Sequence, residues 1–296
     1  IVNVYDFPNK RKIHKIKNPK IGGVILLINF ISLFILLKFE GIDNLTIGTI
    51  FEKKLNNFLF SLFLFLIFLI GFIDDKVDIK PNLKLFCLAL LISFIQYFDN
   101  SILITEIRFS FTENSIYLGK YSFLFTALCF LLFINACNMF DGINLQSCLY
   151  YLALSIYLFS LDNQNLFLIV MMISLFIISI LNSKGKIFMG DGGVFLCSFV
   201  LAYFIIRYYN INSINYSDKI FILMMVPGID MFRLFIFRLL KKKNPFEPDK
   251  SHTILIIFLL VNIPIILSIF NVSSLFIILI YLISYFFLTK DHLKKG

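Results

Sequence analysis

Ten stretches of nearly uninterrupted apolar residues divide the chain, each near the roughly 20 residues that a helix needs to cross a bilayer. They fall at residues 21–39, 58–73, 85–98, 121–136, 145–161, 166–181, 194–209, 220–237, 253–270 and 272–288. Lipid cannot satisfy backbone N–H and C=O groups, so each stretch must close its own hydrogen bonds as a helix. The pattern predicts an all-α polytopic membrane protein of about ten transmembrane helices, built as one integral membrane domain over residues 1–296. Because residue 1 is Ile1 and not Met, the full-length protein is expected to carry one earlier span, eleven in all.

Composition agrees with this pattern. Hydrophobic residues make up 59% of the 296 and charged residues 15%, against about half and a quarter in a soluble domain. Mean hydropathy is +0.89. There are 38 Phe and no Trp, so an interfacial aromatic belt has to use Tyr, for example Tyr208 and Tyr209. The five cysteines show no CxxC spacing and lie in or beside apolar runs, as packing residues do.

The formal charge is +9, but its placement is that of a topology signal. Alternate loops divide the basic residues 19 to 7, with Arg233 inside the eighth stretch completing the 27 Lys and Arg. The richer set includes Lys10–Lys20, Lys76–Lys84, Lys184, Lys186 and Arg238–Lys250, and basic loops stay in the cytoplasm. Both ends of the chain are then expected inside, in contact with anionic lipid and not with nucleic acid.

Four polar clusters collect on that same side. The first, Asp74-Asp75 with Asp78 behind, terminates the second stretch, and a helical continuation would put Asp74 and Asp78 on one face. Adjacent carboxylates need a cation or a basic partner such as Lys84. The second, Asn135 to Gln146, sets Asn135 and Asn138 at i, i+3 before an Asp141-Gly142 turn, with oxygens suited to a hard cation. In the third, Asp191 sits between Gly190 and Gly192-Gly193, just ahead of a helix, where backbone can approach an anion. The fourth holds Asp230 and Arg233 at i, i+3, then a basic loop with His252. Each also has a bland reading: a solvated helix end, an Asn-rich turn, a glycine turn, a structural ion pair.

In order and spacing these motifs resemble the polyprenyl-phosphate N-acetylhexosamine-1-phosphate transferases, glycosyltransferase family 4. The likeness spans nearly the whole chain. It includes D-F-P-N-K-R-K-I-H from Asp6, P-K-I-G-G ending at Gly23, and D-D-x-x-D at Asp74 to Asp78. It continues with N-x-x-N-x-x-D-G at Asn135 to Gly142, F-x-G-D at Phe188 to Asp191, and the stretch from Pro227 to His252. The nearest branch is the bacterial undecaprenyl-phosphate N-acetylglucosaminyl-1-phosphate transferases.

The resemblance implies transfer of an N-acetylhexosamine 1-phosphate from a UDP-sugar to polyprenyl phosphate, releasing UMP, at the cytoplasmic face of the bacterial inner membrane. Such a reaction initiates a cell-envelope glycan such as O-antigen or teichoic acid. It implies Mg²⁺, with Mn²⁺ as a substitute, held by Asn138 and Asp191. Asp74 and Asp75 match the pair assigned to activating the lipid phosphate or assisting the metal, and Asp141 joins them as a catalytic carboxylate. Lys84, Asn135, Asn144, Phe188, Arg238 and His252 match substrate-binding positions. The partners implied are the UDP-sugar, the lipid and the membrane; a homodimer is compatible with the pattern.

Two departures stand out. Where the family often continues D-G-x-D-G-L, this chain has Asp141-Gly142-Ile143-Asn144-Leu145-Gln146, and the usual H-x-H-H is reduced to His252-Thr253-Ile254-Leu255. The latter argues against the peptidoglycan branch. Two rivals remain: a transporter, since intramembrane acids also mark transport paths, and a catalytically weakened relative. Acids at helix ends disfavour the first, and retention of Asp74, Asp75, Asn138 and Asp191 disfavours the second.

Overall fold

The computed structural model describes residues 4–6, 17–39, 54–142, 145–240, 263–268 and 272–283. Eight helices hold most of them: α1 Gly22–Phe39, α2 Lys54–Val77, α3 Pro81–Phe98, α4 Ser122–Phe140, α5 Gln146–Leu161, α6 Leu166–Ser183, α7 Gly190–Asn210 and α8 Ser217–Leu240. A further apolar helix runs over Ser274–Ile283. Each of the first eight predicted stretches lies within one of α1–α8, apart from a single residue at the start of the first, fourth and fifth. Five helices among the described residues are long and apolar enough to cross a membrane: Phe58–Val77 of α2, α3, Gly119–Phe140 including α4, α6 and α7. The chain is thus a mostly helical, multi-pass membrane protein.

Helix α7 is the axis of the bundle. All of its apolar window is buried within the protein, against 22–44% for the other four spans. α2, α1, α4 and α5 surround it, while α3, α4 and α6 turn Phe86, Phe94, Leu132 and Phe176 outward, as lipid-facing surfaces require. Rings fill the interior. Phe30 stacks on Phe167 with centroids 4.2 Å apart, and Phe60 meets Tyr203 at 4.7 Å.

Where α1, α2 and α7 cross, side chains are dispensed with. A Cβ on Gly23 would stand 2.3 Å from the Gly193 nitrogen, and one on Gly71 would stand 2.5 Å from the Asp191 carbonyl oxygen. Small residues at such crossings let backbones touch, which is how helices associate when lipid gives no hydrophobic incentive. Two short strands, β1 Tyr5–Asp6 and β2 Asn18–Pro19, pair antiparallel ahead of α1. A second pair, β3 Glu106–Ile107 and β4 Ile116–Tyr117, lies between α3 and α4 at the other end of the bundle.

Three expectations change. Tyr208 and Tyr209, expected in an interfacial belt, are 1% exposed. Tyr208 donates to Asp162 at 3.2 Å, and the Tyr209 hydroxyl donates to the Glu106 carbonyl at 3.0 Å while accepting from the Arg108 amide. A central helix has no lipid interface to anchor. Asp78 does not extend α2: the helix stops at Val77, and Asp78 takes φ +50° and is exposed, so it shares no helical face with Asp74. Finally, the glycines around Asp191 are not a turn ahead of a helix. They are the first turn of α7.

The glycine crossing makes a stability prediction. Gly23→Ala should destabilise the purified protein by about 1–3 kcal/mol, because backbone and not a mobile side chain opposes the methyl. Gly228→Ala on α8, where nothing lies within 4 Å of the new carbon, should be neutral or slightly stabilising. Thermal unfolding in detergent compares the two.

Candidate functional site

The last turn of α2 and the first turn of α7 meet at one end of the bundle and bring three carboxylates together. α2 runs four residues past the end of its apolar run at Ile73, to Val77, and so carries Asp74 and Asp75 on helical backbone. α7 begins four residues before Val194 and so carries Asp191 in its first turn. Each carboxylate is held. Asp74 receives the Lys84 ammonium at 2.6 Å and the Ile79 amide at 2.8 Å. Asp75 meets Lys20 at 3.0 Å and accepts from the Gly192 amide at 3.1 Å. Lys84 also reaches Asp191, at 3.5 Å, and its ammonium lies 5.4 Å from the Phe195 ring centre.

Exposure separates the three. The Asp191 side chain is 30% exposed, those of Asp74 and Asp75 only 7% and 2%. Asp191 is therefore the carboxylate a ligand can reach, and Lys84 at 15% is the cation beside it.

Asn138 comes to the same level by helix register. α4 and α7 run antiparallel, since Asn210 at the end of α7 donates to the Ser101 and Leu103 carbonyls ahead of α4. Phe130 of α4 lies against Phe199 of α7, with centroids 6.0 Å apart. Asn138 is eight residues beyond Phe130 and Asp191 eight before Phe199. Both helices climb about 12 Å over that length, which brings Asn138 and Asp191 to a similar height along the bundle. Asn135, one turn back on the same face, directs its amide to the Met231 sulfur of α8 at 3.8 Å.

The remaining expected residues divide. Asp141 follows α4 and accepts from the Ser147 hydroxyl. Phe188 is half-buried in an extended segment laid along the start of α1: its amide donates to the Pro19 carbonyl at 2.9 Å, and its carbonyl accepts from Gly22 at 3.0 Å. Asp230 accepts from Arg233 at 3.1 and 2.7 Å, the structural ion pair of the bland reading. Asn144 and His252 lie outside the described residues, as does the side chain of Arg238.

Two residues matter that the motifs did not single out. Lys20 lies in the P-K-I-G-G motif with no role of its own there, although its place two residues before Gly22-Gly23 is a usable signal. Asn182, buried in the last turn of α6, accepts from the Leu145 amide at 2.6 Å and donates to the Ile187 carbonyl at 2.9 Å. It ties the segment after Asp141 to the one before Asp191. Nothing local marks that role, because both partners are distant backbone groups.

Among the described residues no three His, Cys, Asp or Glu side chains form a metal cage. The donor set at Asp191 and Asn138 nevertheless fits Mg²⁺, which takes one or two protein oxygens and completes its shell with water and substrate phosphate. A cluster of three carboxylates and two lysines also keeps an excess of negative charge for a divalent cation to offset.

A family model described as glycosyl transferase family 4 matches residues 57–209, from α2 to the end of α7. Curated relatives extend the likeness. An undecaprenyl-phosphate alpha-N-acetylglucosaminyl 1-phosphate transferase of Yersinia pestis is 25% identical over 265 residues, covering 85% of this chain and 68% of the relative. The protein of that name from Thermotoga maritima is 29% identical over 251 residues, 84% of this chain and 70% of the relative. That of Escherichia coli K12 is 25% identical over 264 residues, with 85% and 68% covered.

Removing the Asn182 amide should strand a buried N–H and a C=O at once. Asn182→Leu is expected to cost about 2 kcal/mol and to raise amide exchange at Leu145, read by hydrogen–deuterium exchange; unchanged exchange there would refute the tie.

Proposed function

Because the chain belongs to glycosyl transferase family 4, we propose that it moves an N-acetylhexosamine 1-phosphate, GlcNAc 1-phosphate or a close relative, from a UDP-sugar to undecaprenyl phosphate. The observation that carries this reading is the carboxylate cluster of Asp74, Asp75 and Asp191, gathered with Lys84 at one end of an apolar bundle. A soluble nucleotide and a membrane-bound lipid phosphate can meet only at that boundary. The basic loops on the same side support a cytoplasmic orientation, and a bacterial inner membrane and envelope glycan assembly such as O-antigen or teichoic acid complete the reading.

In this reaction an acceptor phosphate oxygen bonds to the phosphorus that carries the sugar. The bond from that phosphorus to the bridging oxygen breaks, and the oxygen leaves with UMP. A phosphate monoester is largely doubly ionised near neutral pH, so the nucleophile needs no strong base. What it needs is relief from charge repulsion. Lys84, held by Asp74 and turned toward Asp191, supplies a fixed cation for diphosphate oxygens. Asp191 and Asn138 would hold Mg²⁺, or Mn²⁺ in its place, whose contribution is to offset charge on the transferring phosphoryl group. Family likeness adds Asn135, Asn144, Phe188, Arg238 and His252 as substrate contacts and Asp141 as a further catalytic carboxylate.

A transport role is disfavoured by the same geometry. Transport sites use broken helices near the bilayer midplane, whereas these acids occupy the last turn of α2 and the first of α7.

Membranes incubated with radiolabelled UDP-sugars, undecaprenyl phosphate and Mg²⁺ should form a label soluble in organic solvent, most strongly with UDP-GlcNAc. Asp191→Asn should lower the rate by at least about 100-fold, more than the loss typical of groups that merely orient a ligand. Lys84→Met should act chiefly by raising KM for the UDP-sugar. Folded protein that labels no lipid with any UDP-sugar would overturn the assignment.

A further inference from the structure

Asp75 is walled off from any ligand on every side that its contacts report. One carboxylate oxygen meets the Lys20 ammonium at 3.0 Å, the other accepts from the Gly192 amide at 3.1 Å, and the side chain is 2% exposed. Gly190 closes the remaining approach: it takes φ +73°, and a Cβ there would stand 2.7 Å from the second oxygen. The backbone has therefore adopted a conformation that L side chains rarely take, and it leaves room for this carboxylate.

Three connections then converge on the first turn of α7. Asp75 accepts from Gly192, which follows Asp191 directly, so an α2 carboxylate satisfies one of the amides that a helix start leaves open. Gly71, one turn earlier on α2, admits the Asp191 carbonyl in backbone contact. The Gly22 and Gly23 amides donate to the Phe188 and Met189 carbonyls at 3.0 and 2.9 Å, tying the segment just before α7 to the start of α1. Lys20, two residues ahead of Gly22, adds a charge to that tie through Asp75.

We infer that Asp75 and Lys20 act as a positioning pair that locks the first turn of α7 to α2, and so fixes where Asp191 presents its carboxylate to the cation and the diphosphate. Asp75 works through Asp191 and touches neither substrate. This rests on the transferase reading for its kinetic consequences, but the geometry of the pair stands without it. It also separates the two neighbouring acids: Asp74 orients Lys84 and Asp75 orients Asp191, so the reachable charges on both sides of the site are each set from the same turn of α2.

The test compares Asp75→Asn, which keeps an acceptor for the Gly192 amide but drops the charge facing Lys20, with Lys20→Met, Lys20→Arg and the double variant Lys20→Met/Asp75→Asn. In detergent-purified full chain, Mn²⁺ affinity is read by electron paramagnetic resonance alongside melting temperature and transferase kinetics. Asp75→Asn and Lys20→Met should each weaken Mn²⁺ binding and lower kcat by similar factors of about 10–100, the scale of losing a group that orients a ligand. The double variant should be no worse than either single one, and Lys20→Arg should stay near the parent. Lys20→Met strands a buried carboxylate and should lower the melting temperature; the double variant should regain it while Mn²⁺ binding and kcat stay reduced, which a purely structural pair would not allow.

Wild-type Mn²⁺ affinity in Lys20→Met would overturn the inference. So would an Asp75→Asn rate loss more than about 100-fold beyond that of Lys20→Met, which would mark Asp75 as a group in contact with the reacting atoms. Parent protein that binds no Mn²⁺ would overturn it as well. Parent protein that binds Mn²⁺, with the variants weakened, yet labels no lipid would leave the pair standing and remove the proposed reaction instead.

Discussion

Everything at the functional end of this protein depends on two helix termini being allowed to touch. α2 and α7 approach so closely that a single methyl on Gly71 would strike the Asp191 carbonyl. That approach is what lets carboxylates 116 and 117 residues apart in sequence share one pair of lysines. Three acids at the edge of an apolar bundle would repel one another and draw water inward. Lys84 and Lys20 remove much of that repulsion, each from a different flank, and leave Asp191 as the outward-facing charge.

The same helix organises the opposite end by different means. There α7 is pinned through hydroxyls: Tyr203 donates to Asp99 at 2.6 Å and Tyr208 to Asp162 at 3.2 Å, while Tyr209 is engaged by Arg108. Buried polar groups in a membrane protein must find partners, and here they find them along one central rod. Between the two ends the rod is gripped by rings, with Phe60, Phe199 and Tyr203 in mutual contact. α7 is thereby a rigid support, and a charge placed on its first turn is placed with little freedom.

A consequence concerns the division of labour among neighbouring acids. Asp74 and Asp75 look equivalent on the chain, but successive residues of a helix point about 100° apart. One side chain consequently turns toward α3 and Lys84, the other toward the start of α7 and Lys20. Adjacent identical residues thus serve different parts of the site. The third acid of that motif, Asp78, leaves the helix altogether because the backbone turns at φ +50°.

The sequence alone determined the class of protein, the positions of its first eight helices and its family. Each of these follows from properties carried by single segments: apolar length and motif order. Only the tertiary structure decided which carboxylate is reachable, that Tyr208 and Tyr209 are buried, and that Lys20 and Asn182 belong to the site. Those facts are set by contacts between distant segments, where a glycine's missing side chain or a backbone carbonyl is the partner. Such partners leave no distinctive residue to read.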